Sequence, residues 1–180
     1  MKKTILFLSF IAITASVQAQ KSTTTSAVVT FDASTPIDAL PKAENKTVIG
    51  SLDKTTGALI FEAAVNNFAF SNPKIQEHFN GDKWLNSAQF PKFTFSGKID
   101  KLSEVKFKKN GSYDVTVSGN LTVKGISKPL SAKAKITVKD GAVSTSSFFS
   151  IKLADYGITG QPIEAGKVAP EPKITVSASF

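Results

Sequence analysis

The segment LSAKAKITV alternates strictly, with Leu130, Ala132, Ala134, Ile136 and Val138 on one parity and Ser131, Lys133, Lys135 and Thr137 on the other. In an extended chain successive side chains point to opposite faces, so this spelling makes a strand with one dry and one wet side; a helix would scatter the same residues around its circumference. The pattern recurs in Ala27/Val29/Phe31, Val48/Gly50/Leu52, Leu59/Phe61/Ala63/Val65, Phe93/Phe95/Gly97/Ile99, Tyr113/Val115/Val117/Gly119/Leu121/Val123, Val143/Thr145/Ser147/Phe149/Ile151 and Ile174/Val176/Ala178/Phe180. About eight half-buried strands follow. Asn110-Gly111 and Asp140-Gly141 have the chemistry of tight hairpin turns, and Thr55-Thr56-Gly57 that of a short one. Strands that meander with one apolar face satisfy their edges by closing. The expected fold is therefore all-β, an eight-stranded antiparallel up-and-down barrel with one short helix. A two-sheet sandwich gives the same alternation and stays open on pattern alone.

The rhythm breaks twice. NPKIQEHF, Asn72 to Phe79, begins with a capping Asn and a Pro at the first helical position, and spaces Ile75 and Phe79 four apart. It is expected to be the short helix, with His78 off its buried stripe. Tyr156 to Pro172 is rich in Gly and Pro and is expected to be a long loop at a rim. The only histidine and the only tryptophan, His78 and Trp84, stand together in HFNGDKWLNSAQFPKFTF, residues 78–95.

The first residues, MKKTILFLSFIAITASVQAQ, join Lys2-Lys3 to a short apolar run and a Val17-Gln18-Ala19 cleavage pattern. This spells a leader over residues 1–19 and a mature domain over residues 20–180, exported to a periplasmic or secreted location. The apolar run is shorter than the ~20 residues that cross a bilayer, so no integral membrane segment is expected in the mature chain. With no cysteine, neither a disulfide nor a lipid-modified N-terminus is available. Losing Lys2 and Lys3 with the leader takes the formal charge from +8 to +6. All 22 basic residues are lysine, which lacks the planar fork that reads bases and grips phosphates, so no nucleic-acid partner is expected.

The apolar face mixes large residues with Gly97, Gly119, Ala63, Ala132, Ala134 and Ala178, and no charge falls on it. An eight-stranded barrel is just wide enough to be filled or to hold one small ligand. The small residues point to space for an apolar ligand, although large and small residues can also merely fit a taper. Catalytic signals are missing. There is no Cys, no G-x-S-x-G elbow, no phosphate-binding loop and no converging ligand set, because Glu77 and His78 are adjacent on a helix. No cofactor, metal or catalytic residue is expected.

From Phe68 to Ile158 the chain resembles the YceI-like proteins, exported lipocalin-like barrels that bind polyisoprenoids and related lipids. The resemblance rests on Glu77-His78-Phe79-Asn80 ending the helix, Phe90-Pro91-Lys92-Phe93-Thr94-Phe95 opening a strand, Gly119-Asn120-Leu121-Thr122-Val123-Lys124-Gly125-Ile126-Ser127-Lys128-Pro129, and Asp155-Tyr156-Gly157-Ile158. The chain departs from the family pattern in having no His in Val28 to Asp32 or Thr47 to Leu52, and no Arg in Ser150 to Ala154. What the resemblance implies is a lumen that holds one lipid chain: a polyisoprenoid, quinone-like or fatty-acyl tail. The expected lining is Phe61, Phe68, Phe70, Phe93, Phe95, Leu121, Val123, Leu130, Ile136 and Phe149, with His78, Phe79, Trp84, Phe90 and Tyr156 at the mouth or lid. Two other functions stay open: a filled barrel acting as a basic surface module, and a lipid-modifying enzyme that uses His78.

Overall fold

The alternation is built into a closed sheet. The computed structural model describes residues 21–180; the leader expected over residues 1–19 lies outside the described residues. Strands β1 (Lys21–Asp32), β2 (Lys42–Asp53), β3 (Ala58–Ala64), β4 (Ala69–Phe70), β5 (Lys92–Ile99), β6 (Gly111–Val123), β7 (Ile126–Lys139), β8 (Ala142–Ser150) and β9 (Lys173–Ser179) all pair antiparallel. Eight of them run β1-β2-β3-β5-β6-β7-β8-β9 and return to β1, while β4 adds to β2 beyond the end of β3. Closure through the β1–β2 pairing decides for the barrel over the sandwich.

Two irregularities in the β1–β2 ladder help the sheet curl. Register shifts fall between Thr24 and Ala27 and between Ala27 and Val29, the second placing Lys46 and Thr47 opposite Val28 alone. Such bulges bend a strand and sharpen its twist. Asn45 satisfies the backbone there: it is fully buried, its Nδ2 donates to the Ala64 carbonyl at 2.9 Å, and its Oδ1 accepts from Thr47 N and Oγ1 at 2.9 Å each.

Turn chemistry is as expected at Asp140-Gly141, where both residues take positive φ. Asn110-Gly111, also expected to be a tight hairpin, instead ends the long β5–β6 connection. Asn110 braces the neighbouring turn, with Nδ2 on Asp140 Oδ1 at 3.0 Å and Oδ1 accepting from Asp140 N at 2.8 Å. The tight β6–β7 turn is Lys124-Gly125, at φ 50° and 74°. Asp53 caps the β2–β3 turn by accepting from Thr55 N and Thr56 N, and these backbone donors hold its carboxyl below the usual carboxylate range.

Helix α1 (Pro73–Asn80) stands where the sequence places it: the Asn72 side chain accepts from Lys74 N at 2.9 Å, Pro73 opens the first turn, and Phe79 is buried. The 156–172 segment is less irregular than expected. A 3-10 turn, Leu153–Tyr156, ends on left-handed Gly157, and a one-turn helix α2 (Gln161–Glu164) follows.

The barrel has two unlike ends. At the closed end Leu52, Leu59, Ile99, Val115, Val117, Ile136, Val138 and Val143 pack with Val105, Leu102 and Phe107 from the β5–β6 connection. Tyr113 pins that connection by donating to the Lys106 and Lys109 carbonyls at 3.3 and 3.1 Å. At the mouth end, Phe68, Phe79, Leu85, Leu153, Tyr156 and Ile158 make a second cluster from the segments that cross the opening.

Candidate functional site

Between the two clusters lies a cavity of about 160 Å³ whose exposed lining is almost entirely apolar. The inward parity of the strands builds it: Phe61 and Ala63 from β3, Phe93 and Phe95 from β5, Leu121 and Val123 from β6, Leu130, Ala132, Ala134 and Ile136 from β7, and Phe149 from β8. Phe61, Phe93, Phe95, Leu121, Leu130 and Phe149 are only half-buried although they point inward. Side chains do not fill the interior. Among the described residues no charged one lines it, and the polar residues on its border are Thr94, Thr145, Ser146 and Ser147, the last tied by its Oγ to the Lys133 carbonyl at 2.8 Å.

Of the residues expected to line the lumen, Phe70 does not. It sits on β4 outside the lining and packs on Phe79 at 4.8 Å, because β4 is set beyond the barrel wall at the mouth. Among the mouth residues, Phe79 and Trp84 face the cavity. Phe79 is the anchor of the lid, and its ring meets Phe31 at 5.7 Å and Phe68 at 5.8 Å in tilted or edge-on packing. Phe90 lies off the lining, over the β6–β7 turn, where a side chain at Gly125 would strike its ring. Tyr156 is buried in the mouth cluster, and that burial, helped by the neighbouring Asp155 charge, raises its phenol pKa. His78 is exposed on the outer side of α1 and does not reach the lumen.

The sequence missed lining of two kinds. Val29, Phe31, Val48, Leu59, Val117, Ile151, Ile174 and Val176 carry the same inward parity as the expected lining, and parity alone does not tell which inward positions border empty space. Leu85, Leu153 and Ile158 come from segments without periodicity, where no signal marks the inward side.

The small residues divide. Ala63, Ala132 and Ala134 line the cavity, whereas Ala178 is buried in the wall. Gly97 and Gly119, expected to leave space, do not: they face each other across the β5–β6 ladder, and side chains there would meet the Ser118 and Ser96 carbonyls and the Phe95 ring. Phe95 lies over the glycine pair and takes up the space that they release. Gly119 sits in regular register with Leu130, so it forms no bulge.

The wall is incomplete in one stretch. β7 pairs with β6 from Ile126 to Val138, but with β8 only from Ala134 to Lys139. Beyond Ala134, Phe148 to Ser150 of β8 pair with β9 alone, so among the described residues Ile126 to Lys133 of β7 pairs with no strand on that side, and the 3-10 turn Leu153–Tyr156 comes against β7 instead. Leu130 and Ala132 on one flank and Phe149 and Ile151 on the other are half-buried cavity residues. Cavity-lining residues thus border the split on both flanks. The Ser147 to Lys133 bond closes it below, and Ile126 beside Gly157 borders it above.

Comparison with known proteins agrees with this architecture. A family model described as a YceI-like domain matches residues 15–180. This chain belongs to the YceI-like family. A UPF0312 protein from Yersinia pestis (strain Pestoides F) is 32% identical over 100 residues, covering 52% of this chain and 48% of the relative. One from Shewanella sp. (strain W3-18-1) is 30% identical over 99 residues, covering 48% of each. The chain spans about half the length of the curated relatives it matches. Among solved structures, a polyisoprenoid binding domain from Saccharophagus degradans superposes with a TM-score of 0.72 at 14% identity, over 86% of this chain and 93% of that one. BcnA from Burkholderia cenocepacia gives 0.69 at 17% identity, over 86% and 96%. These likenesses establish a shared fold.

In this YceI-like barrel the motifs supply both cavity lining, as at Phe93, Phe95 and Leu121, and turns. Lys124-Gly125 makes the β6–β7 turn, Gly157 ends the 3-10 turn, and Pro129 lies in the part of β7 with a free edge, where a residue that donates no ladder bond is tolerated. Among the described residues no three His, Asp or Glu side chains gather as a metal site. No helix among them is long and apolar enough to cross a membrane.

Proposed function

We propose that this chain binds a single apolar lipid tail (polyisoprenoid, quinone-like or fatty-acyl) in the barrel lumen, without chemistry, as an exported periplasmic or secreted protein. The observation that carries the reading is the lumen itself: inward phenylalanines and leucines left half-exposed around an uncharged cavity. Each methylene moved from water onto such a surface contributes about 0.8 kcal/mol, so a tail needs few polar contacts to be held. The fold shared with a polyisoprenoid binding domain supports the same reading. A cavity of about 160 Å³ is near the size that takes one ring-sized hydrocarbon, so a longer tail spreads the lining or continues out of the lumen.

Native mass spectrometry and organic extraction of the protein purified from its own envelope should recover a lipid, and the intact mass should begin near Gln20. A lipid present at 100 times its Kd should stabilise the fold by about 2.7 kcal/mol, raising Tm by about 5–10 °C. Ala132→Phe, which fills the lumen, should keep the fold and weaken binding at least tenfold. Repeated recovery of empty protein, or tight binding by the filled variant, would overturn the proposal.

A further inference from the structure

The split between β7 and β8 sits in the most one-sided electrostatic surface of the barrel. β7 carries Lys128, Lys133, Lys135 and Lys139, β8 carries no charge, β9 opens with Lys173, and none of the three strands contains an acid. Lys152 follows β8 and is exposed. Lys135 is paired, to Asp114 at 2.8 Å; among the described residues Lys128, Lys133 and Lys152 make no ion pair. The acids on this rim are Asp155 and Glu171, the latter opposite Lys152 where residues 170–172 run beside Ile151 to Leu153. Two large apolar side chains are exposed at opposite ends of the split, Phe148 at 60% opposite Lys133 and Ile126 at 38% beside Gly157. Continuing the register of Ala134 opposite Ser147 puts Lys133 opposite Phe148 and Ser131 opposite Ser150 across the split.

We infer that the split is the doorway of the lumen and that the basic face around it docks on an anionic lipid bilayer. This rests on the proposed lipid-binding function. An exposed phenylalanine opposite the unpaired Lys133, with the unpaired Lys128 and Lys152 further along the same split, matches an interface in which the aromatic ring enters the headgroup layer and the ammonium groups meet lipid phosphates. Docked this way, a tail passes sideways from the bilayer between Leu130 and Phe149 without crossing water. Lysine and proline on a free edge also discourage strand addition. Lysine-to-glutamate variants separate the two roles, because they keep the edge charged while reversing its sign.

The test uses the mature chain and vesicles of phosphatidylcholine with or without 30% phosphatidylglycerol. Co-sedimentation should be at least tenfold stronger on the anionic vesicles and should fall steeply with salt. Phe148→Glu and the triple change Lys128→Glu/Lys133→Glu/Lys152→Glu should each lose it at least tenfold. The closed-end triple Lys54→Glu/Lys108→Glu/Lys109→Glu, with the same change in net charge, should stay within twofold of the parent. Transfer of a fluorescent C16 fatty acid from the anionic vesicles should slow in the doorway variants, while their affinity for the same probe in solution stays unchanged. Equal losses in the doorway and closed-end triples, or parental vesicle binding and transfer in the doorway variants, would overturn the inference. Absence of probe binding in solution would instead strike the lumen reading, which co-sedimentation does not measure.

Discussion

At the scale of single residues, the glycine pair shows how one letter can mislead. Gly97 and Gly119 stand on the inward parity and suggest empty volume, yet the strands close on them and the Phe95 ring covers them. Gly119→Ala should therefore cost about 1–3 kcal/mol through overpacking against backbone that cannot yield. Gly111→Ala, whose added carbon would come nearest to the Tyr113 side chain at ordinary to slightly tight distance, should stay within about 0.5 kcal/mol. Urea titration compares the two, and equal costs would contradict the close approach. Tyr156 gives a second prediction. Burial raises its pKa, so the folded state keeps the phenol proton more firmly than the unfolded chain does. The stability from this group is complete below the unfolded value near 10 and is lost as pH rises from there through the folded value. In Tyr113→Phe, which leaves Tyr156 as the sole tyrosine, phenolate absorbance should titrate above 10. A midpoint at or below the free value would deny the burial. The inward parity of Phe61, Phe93 or Leu121 could be read directly, because alternation is a local property. Which inward residue meets empty space and which meets a neighbouring strand depends on partners far away in the chain.

At the scale of elements, β7 is one strand with two environments. Its Ala134 to Val138 half has a strand on each side, and among the described residues its Ile126 to Lys133 half pairs with β6 alone. Amides of Ser127 to Lys133 that face the split should exchange with solvent at least tenfold faster than those of Ala134 to Val138; NMR-detected hydrogen exchange would show it. Uniform protection along β7 would mean that the wall is continuous. Nothing in LSAKAKITV marks this change, because the alternation continues unbroken through it. Pro129 was the one local hint, readable as a strand start and in fact lying within the strand where its far edge is free. Phe70 was misplaced for a related reason: β4 is too short for its parity to reveal that it lies outside the ring. Asn110-Gly111 spelled a tight turn but serves as a brace for the next one, since hairpin chemistry and side-chain clamping use the same residue types.

At the scale of the whole molecule, the ring of strands, the helical lid and the basic side follow from patterns visible in the sequence. The division of labour between the two ends does not. The closed end is sealed by Val105, Leu102 and Phe107 and gives the barrel a fixed base, while the mouth is crossed by segments with little regular structure. Between them Phe95, resting on its glycine pair and packed with Phe61 against the closed-end cluster, helps form the floor of the lumen together with Leu59, Val117 and Ile136. Under the proposed lipid-binding function, a tail that comes to rest on Phe95 would be measured from there to the inferred doorway, and chain length rather than headgroup chemistry would be the selected property. Phe95→Ala should lower stability by about 3–5 kcal/mol and shift the preferred acyl chain in a saturated fatty-acid series to greater length. An unchanged length preference in the folded variant would place the stop elsewhere. A single aromatic ring, held by the absence of two side chains beneath it, would then decide how long a molecule the barrel can carry.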